Sequence, residues 1–368
     1  MALIDEIAIA RKEVVTEGYD MSVGEIVNLY RNQELQIRPE YQRLFRWDST
    51  RKARLIESIL LGLPLPPIFV YQRLDGVWEL IDGLQRLSTL LEFMGALRDE
   101  SGVEVQPLRL EGTQFLPSLA NKCFDSTLAD GSDGIGITLQ IQLKRARLRV
   151  EILRQESDPN IKFEVFQRLN TGGVNLSQQE VRNSVGYMLD QAFQHWLISL
   201  ANLPAFLITI DQTETAMERQ QHVELVLRYL AFRLVQYRQG LDVHEYLDQA
   251  LMQVAKIDAA QQQSENQIFQ RTFEFLNESM GANTFKRWDG NSFGGKFLMS
   301  VYEVVSLGVS KNIDAIEAFA PPVRKIFIET KCRELWGTPE FLENSGAGVR
   351  GTTRLAKLLP IAEAHFRP

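Results

Sequence analysis

One stretch, Val77-Trp78-Glu79-Leu80-Ile81-Asp82-Gly83-Leu84-Gln85-Arg86-Leu87, constrains the fold more than any other. An apolar run closes at Asp82-Gly83, and Leu84, Leu87, Leu91, Met94 and Leu97 then recur at helical spacing, which predicts strand, tight turn and helix. Asp82 falls at the carboxyl end of the strand, in place to cap the helix. Gly83 permits a tight turn or the close approach of a ligand to the backbone. Gln85 and Arg86 fall in the first helical turn, beside unpaired N–H groups that favour an anion. A guanidinium fork there grips a phosphate in a way a lysine does not. An ordinary capped helix with a solvated Gln-Arg pair fits the same pattern.

The surrounding chain narrows the setting. Its 368 residues suffice for two or three domains and a sizeable core. No apolar run approaches the roughly 20 residues that span a bilayer, and the acidic Met-Ala-Leu-Ile-Asp-Glu start lacks a signal peptide's basic region. Only Cys123 and Cys332 occur, so no disulfide framework is expected and a cytoplasmic setting is. With a net charge of −7, any nucleic-acid contact must come from local basic patches.

In chain order, Ser22 and Glu25 form a capping box ahead of a helix. Residues 35–38 read as a short strand, and the loop 39–48 mixes aromatic and basic residues before Asp48 caps a second helix. Residues 66–72 form a strand, and Asp75-Gly76 turns it into the opening motif as a hairpin. The stretch 99–136 is rich in turn residues, with 130–134 expected as a flexible loop. Strand character returns at 143–153, with Arg145, Arg147 and Arg149 on one face. Such a stripe can follow a phosphate backbone, and a solvated strand face explains it equally well. Asp158-Pro159 starts a helix that breaks at Asn170-Thr171-Gly172-Gly173, and Ser177 with Glu180 forms another capping box. From about 190 onward the apolar residues recur at helical spacing, with 261–266 expected as a turn between helices.

Two further glycine-rich segments invite comparison with phosphate loops. Residues 290–297 match that spacing until the last position, where Phe297 replaces the Ser or Thr that would bind magnesium, so a Walker site is not expected. Residues 346–354 form a basic loop entering a helix, where Arg350 and Arg354 could clamp a phosphate and Thr352 or Thr353 could cap. The four histidines are far apart, and no His-Glu-x-x-His, His-Asn-His, paired Cys-x-x-Cys or Gly-x-Ser-x-Gly pattern occurs, so no metal ligands are assigned.

Three separated blocks together resemble one family. They are Pro39-Glu40-Tyr41-Gln42-Arg43 with Trp47, then Ile81-Asp82-Gly83-Leu84-Gln85-Arg86, then Phe166-Gln167-Arg168-Leu169-Asn170-Thr171-Gly172-Gly173 through Glu180-Val181-Arg182-Asn183. In this order they resemble the amino-terminal domain of the GmrSD restriction enzymes, a relative of the ParB and sulfiredoxin fold. The resemblance implies a nucleotide-binding, often nucleotide-hydrolysing, module of prokaryotic anti-phage defence. The family's Asp-Gly-Gln-Gln-Arg signature carries Leu84 in place of its first Gln, which weakens the case for hydrolysis more than for binding.

The resulting expectation is an α+β fold, with a ParB/sulfiredoxin-like domain over 1–190 and a mainly α-helical domain over 191–368. Asp82, Gln85 and Arg86 would serve catalysis, and Arg43, Gly83, Arg86, Arg168 and Asn170 would hold a nucleoside triphosphate, with Mg2+ as a companion. Whether this chain hydrolyses the nucleotide or only binds it stays open. Without a His-Asn-His motif, cutting DNA would fall to a separately encoded nuclease. The rival expectation is a non-enzymatic module that binds DNA or restrains a nuclease through Arg145, Arg147, Arg149, Arg350 and Arg354. Neither reading involves a membrane, and both leave self-association into a homo-oligomer open.

Overall fold

The computed structural model describes residues 3–5, 7, 15–37, 47–99, 101–128, 132–154, 163, 165, 166, 168, 169, 178–346 and 348–368. The chain forms two compact units, 1–174 and 175–368. The sequence reading put the division at 190/191.

The first unit is mixed α and β. In chain order come β1 (Thr16–Ser22), α1 (Val23–Arg31), β2 (Leu35–Gln36), α2 (Ser49–Leu60), β3 (Ile68–Gln72), β4 (Trp78–Asp82), α3 (Leu84–Phe93), α4 (Ile137–Arg145) and β5 (Arg147–Leu153). The strands make one five-stranded sheet ordered β1-β5-β3-β4-β2. The β3–β4 hairpin turns through Gly76 and is antiparallel, whereas β3 runs parallel to β5. Helix starts follow their caps: Glu25 N–H donates to Ser22 Oγ at 3.1 Å and Arg51 N–H to Asp48 Oδ1 at 2.7 Å. Ile26, Ile56, Leu87, Leu90 and Leu91 from α1–α3 pack with Ile68, Val70, Leu80, Leu148, Val150 and Ile152 of the sheet. The apolar residues of β3 and β5 recur every second position, which delivers them to one face.

Two expectations in this unit need correction. Arg145 ends α4 and is not on β5, because Gln142 and Leu143 carbonyls already accept the Ala146 N–H and close the helix. The stretch expected as a flexible loop contains a buried carboxylate, Asp133, which accepts from Ser126 Oγ (2.6 Å), the Thr127 hydroxyl and N–H, Leu128 N–H (3.2 Å) and Arg109 (3.0 Å). The hydrogen bonds from Ser126 and Thr127 hold its carboxyl well below the usual carboxylate range. Asp130 and Gly131 lie outside the described residues, as do Asp158, Pro159 and Ser177.

The second unit is helical: α5 (Gln178–Leu189), α6 (Gln191–Ala201), α7 (Pro204–Ile210), α8 (Glu214–Glu218), α9 (Gln221–Leu234), α10 (Val243–Val254), α11 (Ala259–Met280), α12 (Met299–Lys311), α13 (Ile313–Glu317), α14 (Pro321–Glu334), α15 (Pro339–Ser345) and α16 (Gly351–His365). A small hairpin, β6 (Arg287–Trp288) with β7 (Phe293–Gly294), interrupts them. Phe206, Tyr229, Phe269, Phe273, Phe285 and Tyr302 are buried as one ring cluster, with neighbouring centroids 4.5–6.5 Å apart.

Residues 261–266, expected as a turn, belong to α11. Asp258 caps that helix and Glu265 pairs with Arg233 at 2.6 Å, so a polar run remains helical on its exposed side. Among the described residues no single helix is long and apolar enough to cross a membrane. The bent pair α6–α7 passes that test jointly, bent by 62°, but buries Phe193, Trp196, Leu197, Leu200, Phe206 and Ile210 in the helical core.

Candidate functional site

The β4–α3 junction is where the opening motif of the sequence lies. Gly83 takes φ +98°, a left-handed conformation that side chains other than glycine rarely adopt. A Cβ there would also collide with the Ile68 side chain from neighbouring β3. Glycine is therefore required twice, once by backbone conformation and once by space.

Asp82 does not cap α3. The helix has no side-chain cap, because the Asp82 carboxylate turns to Arg86, one helical turn on, and accepts from its Nη2 at 2.8 Å. Arg86 Nη1 donates to the carbonyls of Pro66 and Pro67, the latter at 3.0 Å. Those carbonyls are a signal the sequence reading passed over: Pro66-Pro67 stands at the entry to β3, and proline contributes no N–H there. Three of the five guanidinium N–H groups are thus committed within the fold, and the side chain is only 13% exposed. Burial draws the Arg86 pKa down and the Asp82 charge pushes it back up.

Gln85 is tied as well. Its Oε1 accepts the Trp47 N–H at 2.8 Å, fixing the end of the 39–47 block against the motif. Leu84, standing where the family pattern has Gln, packs against the apolar core. What the junction leaves unclaimed is therefore specific. The backbone N–H groups that open α3 have no side-chain acceptor, and the second Asp82 oxygen and the remaining Arg86 N–H groups have no described partner. This is a helix amino terminus with bare backbone, one carboxylate and one guanidinium, a set that suits an oxyanion.

The other expected residues divide sharply. Arg43 and Asn170 lie outside the described residues. Arg168 is helical and exposed. Arg149 pairs with Glu151 at 2.9 Å and Asp20 at 3.7 Å, so with Arg145 on a helix the expected basic stripe reduces to Arg147. Arg354 is withdrawn from the 346–354 loop altogether. Helix α16 begins at Gly351 without a threonine cap, and Arg354 grips fully buried Glu303 at 2.7 and 3.0 Å. Of the two loop arginines, Arg350 is the one that remains exposed. Residues 290–292 form the turn of the β6–β7 hairpin, with Asp289 accepting from Asn291 and Ser292 N–H, and 293–294 are strand, so the segment lacks the strand–loop–helix context of a Walker site. Among the described residues no group of three His, Cys, Asp or Glu side chains could hold a metal ion.

Residues 23–185 match the family model described as GmrSD restriction endonuclease, N-terminal domain. That segment is a GmrSD N-terminal domain. The search of curated proteins found no match. The domain links the chain to restriction-type defence. It contains the whole β4–α3 junction and ends inside α5, where Arg182 is buried and donates to Glu224 at 2.9 Å and Asp248 at 3.2 Å. Burial works to raise the Glu224 carboxyl, but Arg228 and Arg182 override it and leave it below its ordinary value. The third GmrSD block thus ends in the charged interior of the helical unit, and Asn183 there hydrogen-bonds Gln179 at 2.7 Å.

Proposed function

We propose that this chain is the nucleotide-binding component of a prokaryotic restriction system, working in the cytoplasm beside a separately encoded nuclease. The observation that carries this reading is the uncapped start of α3, lying inside the GmrSD segment and opened by a glycine that tolerates no side chain. In this reading the five-stranded mixed sheet with its β4–α3 turn is of ParB/sulfiredoxin type.

The roles differ from the simplest expectation. Arg86 is chiefly a strut: it fixes the β3 entry and Asp82 in place, and presents its remaining N–H groups towards a phosphate. Backbone N–H groups of Leu84, Gln85 and Arg86 supply the anion-binding surface. Gln85 holds Trp47 in position and so shapes the same site. The second Asp82 oxygen, without a partner among the described residues, suits a water bound to Mg2+ or a ribose hydroxyl. Phosphoryl transfer asks a protein mainly for positioning and electrostatic stabilisation, which these groups provide. Bound Mg2+ would neutralise phosphate charge.

The test compares nucleoside-triphosphate binding and hydrolysis by the wild-type chain and Arg86→Ala, with thermal melts confirming that both are folded. Loss of binding in the variant supports the assignment. Equal binding and turnover by the two proteins would remove it.

A further inference from the structure

We propose that the β6–β7 hairpin of the helical unit is a binding surface for single-stranded nucleic acid. The proposal does not rest on the nucleotide site. The hairpin pairs Trp288 directly with Phe293, their rings 4.9 Å apart and both half-buried. Arg333 of α14 lies over the Trp288 ring at 4.9 Å, and Arg287 lies over Trp336 at 5.9 Å. Within 284–297 three cations, Lys286, Arg287 and Lys296, stand against one carboxylate, Asp289, in a chain whose net charge is −7. Lys286 is engaged with Asp211 and Arg333 with Glu329, whereas Arg287 and Lys296 are exposed and have no acidic partner among the described residues.

Gly294 sharpens the case. Its φ is not positive and a Cβ there would meet nothing, so neither conformation nor packing calls for glycine. Gly295 is also uncrowded, but its φ of +88° itself favours glycine; together the two leave bare backbone between the aromatic pair and Lys296. Aromatic rings for stacking, cations for phosphates and backbone open to close approach are the components of a single-strand platform. A purely structural hairpin needs the rings and Gly295, but neither a glycine at 294 nor two exposed cations without a described carboxylate partner.

The experiment is fluorescence anisotropy of a labelled oligothymidylate of about 20 nucleotides with the full chain, across a salt series. Wild type is expected to bind and to show quenched tryptophan emission. Arg287→Glu combined with Lys296→Glu should weaken binding about a hundredfold and lower the log-affinity against log-salt slope by about 1.4. Trp288→Phe, which preserves an aromatic ring for packing, should remain folded and lose the quench. Absence of binding by wild type, undiminished affinity in the double variant, or equal binding of a blunt duplex without quenching would overturn the proposal.

Discussion

At Gly83 a single added methyl group meets two penalties, a left-handed backbone and the Ile68 side chain. Gly83→Ala is expected to destabilise the first unit by about 2–4 kcal/mol, read from urea unfolding, and to reduce nucleotide binding with it. His222 gives a different residue-scale expectation. It is buried near the start of α9 with its Nδ1 unpartnered among the described residues, and burial pushes its pKa down. A histidine held neutral in the fold contributes stability above its unfolded pKa and loses it as pH falls through that value, about 6.5. Unfolding free energy should therefore decline below about pH 6.5 by up to 1.4 kcal/mol per unit, and His222→Gln should flatten that slope.

Elements are held to one another by buried carboxylates at several points. Glu303, fully buried on α12, binds Arg228 of α9 and Arg354 of α16. Glu303→Gln leaves Arg354 without a described carboxylate and Arg228 with Glu224 alone, at an expected cost of about 3–5 kcal/mol, measured by chemical unfolding of the helical unit. Asp133 plays this part in the first unit, and its lowered pKa means that its contribution is present above the ordinary carboxylate value and fades as pH falls below it. Hydrogen exchange of 122–128 should accelerate below about pH 4, and Asp133→Asn should show the fast exchange at neutral pH. These clamps also explain what the sequence discloses. Caps such as Ser22 and Asp48, the β3–β4 hairpin and the strand–turn–helix at Gly83 are local, written by neighbouring residues, and could be read directly. Arg354 and the 261–266 run depend on partners far along the chain, and Asp133 on Arg109 as well as on the nearby Ser126, Thr127 and Leu128, so turn-forming composition pointed to loops where hydrogen bonds and ion pairs decide. At the site the residues Asp82, Gly83, Gln85 and Arg86 were legible, but the proline carbonyls that occupy Arg86 come from the separate β3 entry.

For the molecule as a whole, the GmrSD segment and the compact units do not share a boundary. The segment ends at 185, while α5 already belongs to the second unit through Arg182, Glu224 and Asp248. A fragment spanning 1–190 would strand Arg182 without both carboxylates. Its α5 amides are expected to exchange rapidly, whereas those of the full chain stay protected. The account's central claim, that the opening turn of α3 receives a nucleotide's phosphates, is tested most directly by hydrogen exchange of the full chain with and without each common nucleoside triphosphate. The expected result is protection concentrated on 83–88 by at least one nucleotide, absent in Arg86→Ala. Nucleotide binding that leaves 83–88 unchanged and protects another segment would contradict it.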